Sequence, residues 1–269
     1  MAVSSAVPNR CGDDMFVRAA AIGVITMGLA AAGLGSLTGA SPQTSALSSP
    51  PAPAHQPPDG GRTTTGRRLF RPDSLGLLEA PDRAEWQKPD LIMDALKIAE
   101  GDVVAELGAG GGWFTARLAR RVGPNGMVYA EDVQPTMLEA IRGRVRREGL
   151  TNVRTVLGTS TDPKLPSGLD AVLIADAYHE MDDPARQEII HLLLKNVAAA
   201  LKADGRLGIV DYAAGGGGPG PAADERIDPE KVIGAAEGAG LALRAREQVP
   251  PFQFLLVFGR AAAASRRTL

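Results

Sequence analysis

The run Glu106-Leu107-Gly108-Ala109-Gly110-Gly111-Gly112 has the residue types and spacing of a ligand-binding turn. It follows Val103-Val104 and leads into a helical pattern carrying Phe114, Leu118 and Val122, so a strand passes through a turn into a helix. Glycines at 108, 110 and 112 have no Cβ, which lets the main chain turn sharply and approach a ligand closely. The helix that follows offers unpaired N–H groups to a ligand carboxylate. Glu106, two residues before the first glycine, places a negative charge there. A carboxylate suits a cationic ligand with an ammonium group and is a poor neighbour for pyrophosphate.

Two cofactor classes use such turns. The dinucleotide pattern G-x-G-x-x-G, counted from Gly108, needs a small residue where this chain has Trp113. The S-adenosylmethionine (SAM) pattern E/D-x-G-x-G-x-G is matched at every fixed position by Glu106, Gly108, Gly110 and Gly112. These residues, with Ala109 between them, are the expected cofactor contacts, and a nicotinamide-dependent reductase is the disfavoured rival. The next strand ends in Glu131-Asp132, about 20 residues after Gly112, where ribose hydroxyls would lie. A carboxylate can accept from both hydroxyls at once.

With these features together the chain resembles the class I SAM-dependent methyltransferases. Val128 to Pro135 is similar to the second-strand motif of that family, which implies Asp132 rather than Glu131 as the ribose acid. The family usually places an adenine-binding acid after strand three. Here Thr159 stands at the commoner position and the acid comes at Asp162, which before Pro163 also reads as the start of a turn.

Asp176-Ala177-Tyr178-His179-Glu180-Met181 follows strand four, and ligands of doubly wound sheets sit beyond the carboxyl ends of the strands. The segment is similar to the leucine-histidine-histidine loop of small-molecule methyltransferases. Asp176, Tyr178 and His179 are therefore the candidate catalytic residues. His179 changes charge near neutral pH and reads as a base, or as a group that hydrogen-bonds its loop or caps the helix at Pro184. His191 and Lys195 fall on a solvated helix face. Leu69-Phe70 with Asp82 to Pro89, and Pro250 to Phe254, resemble the first and last segments of a group of bacterial methyltransferases, often exported. The resemblance covers nearly all of residues 69–259. The Gly215–Gly220 run is longer than that group's.

Positioning these residues takes a sheet wrapped by helices. Short β-rich runs alternate with helical ones, which predicts an α/β, doubly wound, mainly parallel seven-stranded sheet of Rossmann-like kind. Strands are expected at 103–107, 127–131, 153–157, 171–174 and 207–210, then at 241–247 and 252–258. The last two, joined by a short turn, must be antiparallel. Helices are expected from Pro89 to near Gly101, with Leu91, Ile92, Leu96 and Ile98 inward, and from Pro135. A longer one starts at Pro184, with Ile189, Ile190, Leu193, Leu194, Val197 and Leu201 inward, and another covers about 229–239.

The rest of the chain organises around this domain, placed at 67–260 with a tail at 261–269. Ala19 to Leu37 carries no charge, and Thr38-Gly39-Ala40 supplies small residues for cleavage. Residues 1–40 thus read as a signal peptide, or as an uncleaved N-terminal anchor and the sole membrane contact. The expected location is exported or membrane-tethered, and cytoplasmic if the leader is an artefact of the start; Met15 would give a tidier basic flank. Residues 41–66, rich in Pro, Ser, Ala and Thr, read as a disordered linker. Cys11 is the single cysteine of 269 residues, so thiol chemistry and thiolate metal sites are excluded from the domain and no metal is expected. A net charge of -2 gives no footprint for nucleic acid, and Arg142, Arg144, Arg146 and Arg147 read as a solvated face. The expected partner is a small-molecule methyl acceptor. The alternative is a non-catalytic SAM-binding module, since an exported enzyme would be separated from cytosolic SAM.

Overall fold

Successive side chains of a strand point to opposite faces, and in this chain both faces are apolar. Val172 and Ile174 lie in one buried cluster, whereas Ala171, Leu173 and Ala175 lie in another. Ile209 and Val210, or Leu256 and Val257, divide in the same way. A sheet with two apolar faces must be covered on both sides. The computed structural model describes residues 69–215, 217–249 and 252–262 and shows that arrangement. The expected leader at 1–40, the linker at 41–66, Gly216, Pro250-Pro251 and most of the tail lie outside the described residues.

The strands are β1 (Val103–Leu107), β2 (Met127–Asp132), β3 (Val153–Leu157), β4 (Leu169–Ala175), β5 (Leu201–Tyr212), β6 (Leu241–Val249) and β7 (Gln253–Arg260). They form a seven-stranded sheet in the order β3-β2-β1-β4-β5-β7-β6. The first five are parallel, and β7 runs antiparallel between β5 and β6. Every residue of β7 from Gln253 to Gly259 is buried, as an interior strand requires.

The helices are α1 (Arg83–Gln87), α2 (Pro89–Ala95), α3 (Trp113–Val122), α4 (Pro135–Arg147), α5 (Tyr178–Met181), α6 (Gln187–Ala200) and α7 (Pro229–Gly238), after a 3-10 segment at Pro72–Glu79. Proline opens α2, α4 and α7, where its missing N–H costs nothing. Helix α6 packs Ile190, Leu193, Leu194 and Val197 onto one sheet face, and α3 packs Phe114, Leu118 and Val122 onto the other. Among the described residues no helix is long and apolar enough to cross a membrane.

Four expectations need correction. Helix α6 starts at Gln187 because Pro184 lies in a turn closed by Arg186 N–H donating to the Asp183 carbonyl (2.9 Å). Leu201 then begins β5 and does not end the helix, although its side chain is buried. Helix α2 ends at Ala95, and Lys97 at φ 55° reverses the chain so that Ile98 packs inward from outside the helix. Leu91 points the other way and is 56% exposed.

The strand order reverses direction between β1 and β4. Connections from β1 proceed to β2 and β3 on one side, while β4 and β5 lie on the other. The crevice beyond the carboxyl ends of β1 and β4 is where a doubly wound sheet binds ligands.

Candidate functional site

Paired strands bring their outgoing loops together. Leu107 of β1 is opposite Ile174 of β4, so the glycine turn and the segment Asp176–Met181 emerge side by side. A Cβ on Gly108 would lie 2.7 Å from the Ala177 Cβ. Gly108 therefore allows close approach of the two loops, a role additional to ligand approach. Gly108, Gly110 and Gly112 have φ of 65°, 53° and 79°, the left-handed region that favours glycine. Gly112 is the N-cap of α3. A Cβ on Gly110 would meet only Leu78 Cδ1, at 3.6 Å. Ala109 is buried, and its N–H donates to the Glu131 carbonyl (2.9 Å).

Buried carboxyl groups surround this turn. Glu106 accepts from Thr115 Oγ1 at 2.5 Å, and burial pushes it up to about 8 against the hydrogen bond and the more distant Arg83 charge. Glu131 is likewise pushed up to about 8 by burial and by neighbouring Asp132, and it accepts from Gly108 N–H at 3.4 Å. A Cβ on Gly158 would overlap the Glu131 carboxyl, so that glycine gives it room. Asp132 accepts from Gly110 N–H (3.0 Å) and Gln134 N–H (2.9 Å), and burial raises it despite those bonds. The chemistry of these groups fits SAM: Glu106, Glu131 and Asp132 have no cationic side chain bonded to them, as suits a ligand with ammonium and sulfonium charges. Asp162 is exposed, its Oδ1 accepting from Lys164 N–H (2.8 Å).

The N-terminal segment crosses the site. Phe70 N–H donates to Glu180 Oε2 and its carbonyl accepts from Gln134 Nε2, each at 3.0 Å. Leu75 lies beside Gly111, and Leu78 beside Gly110. Glu79 pairs with Arg144, whose Nε donates to the Gly111 carbonyl at 2.8 Å.

Residues 104–205 match the family model described as a methyltransferase domain. A solved SAM-dependent methyltransferase from Aquifex aeolicus superposes with a TM-score of 0.65 at 26% identity, covering 71% of this chain and 98% of that chain. The chain carries a class I SAM-dependent methyltransferase domain. A SAM-dependent methyltransferase from Corynebacterium glutamicum shares the fold, with a TM-score of 0.54, 17% identity and coverage of 70% and 97%. The protein-L-isoaspartate O-methyltransferase of Methanococcoides burtonii is 31% identical over 101 residues, 37% of this chain and 49% of that protein. The chain spans less than two thirds of the length of the first such relatives it matches.

In this methyltransferase domain the candidate acceptor residues have different surroundings. Asp176, at φ 57°, accepts from Arg83 Nη2 (2.7 Å), from Gln87 Nε2 (2.8 Å) and from Gln253 Nε2. Arg83 also donates to Gln87 Oε1 (2.6 Å) and the Leu78 carbonyl (2.5 Å), and lies 4.2 Å from the Trp113 ring centre. Asp176 is thus a strut between α1, β4 and β7, with its oxygens occupied. Tyr178 is fully buried in the α6-side core, and its hydroxyl has no hydrogen-bond partner among the described residues. Burial raises its titration further above the ordinary tyrosine range.

His179 is set by a residue that the sequence did not single out. Its Nδ1 lies 2.9 Å from Asp211 Oδ1, and its N–H donates to Asp211 Oδ2 at 2.9 Å. Burial lowers the imidazole, but the carboxyl groups of Asp211, Glu180 and Asp176 outweigh it and push it up to about 9. Glu180, pushed up to about 7 by burial, lies 4.0 Å from His179 Nε2. Asp211 closes an apolar strand at the sheet's carboxyl edge. That position was a usable signal, as it was for Glu131. Arg83, Gln87 and Gln253 fell within the first and last segments that carry the resemblance, without a role of their own, and Thr115 carried no signal. Among the described residues no group of three or more His, Cys, Asp or Glu is placed to hold a metal ion.

Proposed function

We propose that this domain methylates a small-molecule acceptor whose attacking atom carries a proton, an O–H or N–H group. The observation that carries the proposal is the contact of the glycine turn with the loop bearing His179 at the switch point of the sheet. Bound SAM supplies a methyl group on a sulfonium that departs as a neutral thioether. Glu106 and the turn hold the cofactor's amino-acid end, and Asp132 holds its ribose. Asp162 holds the adenine. The remaining work is positioning the acceptor in line with the methyl group. As the new bond to the acceptor forms, the acceptor's proton passes to His179 Nε2. Since His179 is held up to about 9 in the free protein, its proton-accepting form grows with rising pH, and turnover should rise through that region.

The test is a thermal-shift comparison of SAM with NAD, followed by a labelled-methyl screen over phenols, amines and acids. Saturation at a hundred times Kd should stabilise the fold by about 2.7 kcal/mol. Gly110→Val should abolish the shift with SAM while the protein still unfolds cooperatively. A shift with NAD alone would overturn the proposal, and binding without transfer to any acceptor would leave a SAM-binding module. We also propose export, supported by the uncharged run at 19–37. N-terminal sequencing from a native-like host should begin near Ser41, and intact cytosolic protein starting at Met1 would contradict it.

A further inference from the structure

Asp211 sits next to the end of β5, after Leu207, Ile209 and Val210, and is 0% exposed. A carboxylate enclosed among apolar side chains is costly unless its oxygens are met by donors. Here three groups meet it: the Tyr212 N–H (2.7 Å), the His179 N–H (2.9 Å) and His179 Nδ1 (2.9 Å). Two of the three belong to one residue. The main-chain bond fixes where the loop runs, and the ring bond fixes how the imidazole is turned.

A carboxylate only accepts, so Nδ1 must carry the hydrogen and the neutral ring has its lone pair on Nε2. Nε2 makes no hydrogen bond among the described residues. It faces Glu180 Oε1 at 4.0 Å, beyond bonding reach. The other Glu180 oxygen is held by Phe70 N–H, and Phe70 in turn bonds Gln134, two residues from Asp132. Nε2 is therefore turned toward the side where the N-terminal segment, the end of β2 and the glycine turn meet.

We propose that Asp211 is a positioning residue for His179, locking the Nδ1–H tautomer, aiming Nε2 at the methyl-transfer site and holding the imidazolium once Nε2 has taken the acceptor's proton. Its use in catalysis rests on the methyl-transfer proposal above; the arrangement itself does not. The proton leaves the acceptor atom as that atom gains the methyl group, the sulfonium becomes a thioether, and the positive charge ends on the imidazole beside Asp211. The groups facing the ring are Asp211 from β5, Glu180 from α5 and Asp176 from the end of β4, with Arg83 already paired to Asp176.

The chain has three histidines, His55, His179 and His191, so imidazole NMR of the full-length labelled protein resolves the matter, with His55→Gln and His191→Gln assigning the signals. His179 should titrate near 9 in the Nδ1–H form. Asp211→Asn, which keeps an acceptor for Nδ1–H and removes the charge, should lower that titration by more than ~1 pH unit. Asp211→Glu should restore most of it. An ordinary imidazole titration of mixed tautomers in the unmutated protein overturns the proposal, even if the variants fail to fold. So does an unmoved titration in a folded Asp211→Asn. Neither measurement uses SAM or an acceptor, so a failure here is separate from a failure of methyl transfer.

Discussion

The carboxyl ends of β1 and β2 and those of β4 and β5 both bury acids, but they meet them with different partners. Beside β1 and β2, Glu106, Glu131 and Asp132 are answered by a hydroxyl and by main-chain N–H groups. Beside β4 and β5, Asp176 is answered by the Arg83 guanidinium and Asp211 by the His179 ring. Burial raises the first set, and it raises Asp176 as well, but only at Asp176 does a bonded guanidinium oppose the shift. One half of the crevice is electrostatically complete within the chain. The other buries acids with no cationic side chain bonded to them, a chemistry that suits a positively charged ligand.

That contrast can be broken most forcefully at Arg83. Arg83→Ala leaves Asp176 buried with amide partners only and should cost about 3–5 kcal/mol, read as a lower denaturation midpoint. Glu106→Gln, by contrast, replaces a group already mostly neutral and should change the stability of the free protein by less than ~1 kcal/mol near pH 7. Equal losses in the two variants would erase the distinction.

Ligand binding sharpens it. Asp132→Ala should weaken SAM about tenfold to a hundredfold by calorimetry, as expected for loss of roughly 1.5–3 kcal/mol of hydrogen bonding. Glu131→Ala should do less, and the reverse order would move the ribose contact to Glu131.

The smallest effect is that of pH. Glu106 and Glu131 have folded values near 8 against 4.5 ordinarily, so their contribution to stability is full below 4.5 and lost as pH rises through 8. His179, raised from 6.5 to about 9, acts in the same direction, its contribution fading as pH rises through 9. The melting temperature of the free protein should therefore fall from about pH 6 to 9 while SAM affinity rises over the same interval. A flat affinity curve would mean that the ligand does not meet these acids.

Legibility in the sequence followed the locality of the physics. Strands β1 and β3 stood at their observed bounds, and the β6–β7 hairpin was readable, because period and turn signals lie within a few residues. The Pro184 helix start failed because proline serves a turn as well as a first helical turn. The glycine turn and the β2 acids were legible as a local pattern. Asp211 was marked by its strand-end position and Arg83 by the segment it lies in, but their roles were not legible, since these depend on partners 32 and 93 residues away.

Asp176 is bonded to α1 and β7, and Asp211 to His179 and Tyr212, so the short segment from Asp176 to His179 is pinned at both ends before any acceptor arrives. Fixing one residue's main chain costs about 1–2 kcal/mol of conformational entropy. In this loop that cost falls on folding, not on recognition. An acceptor that docked here would meet a segment already ordered by these bonds, so the ordering of that segment would not be subtracted from its affinity.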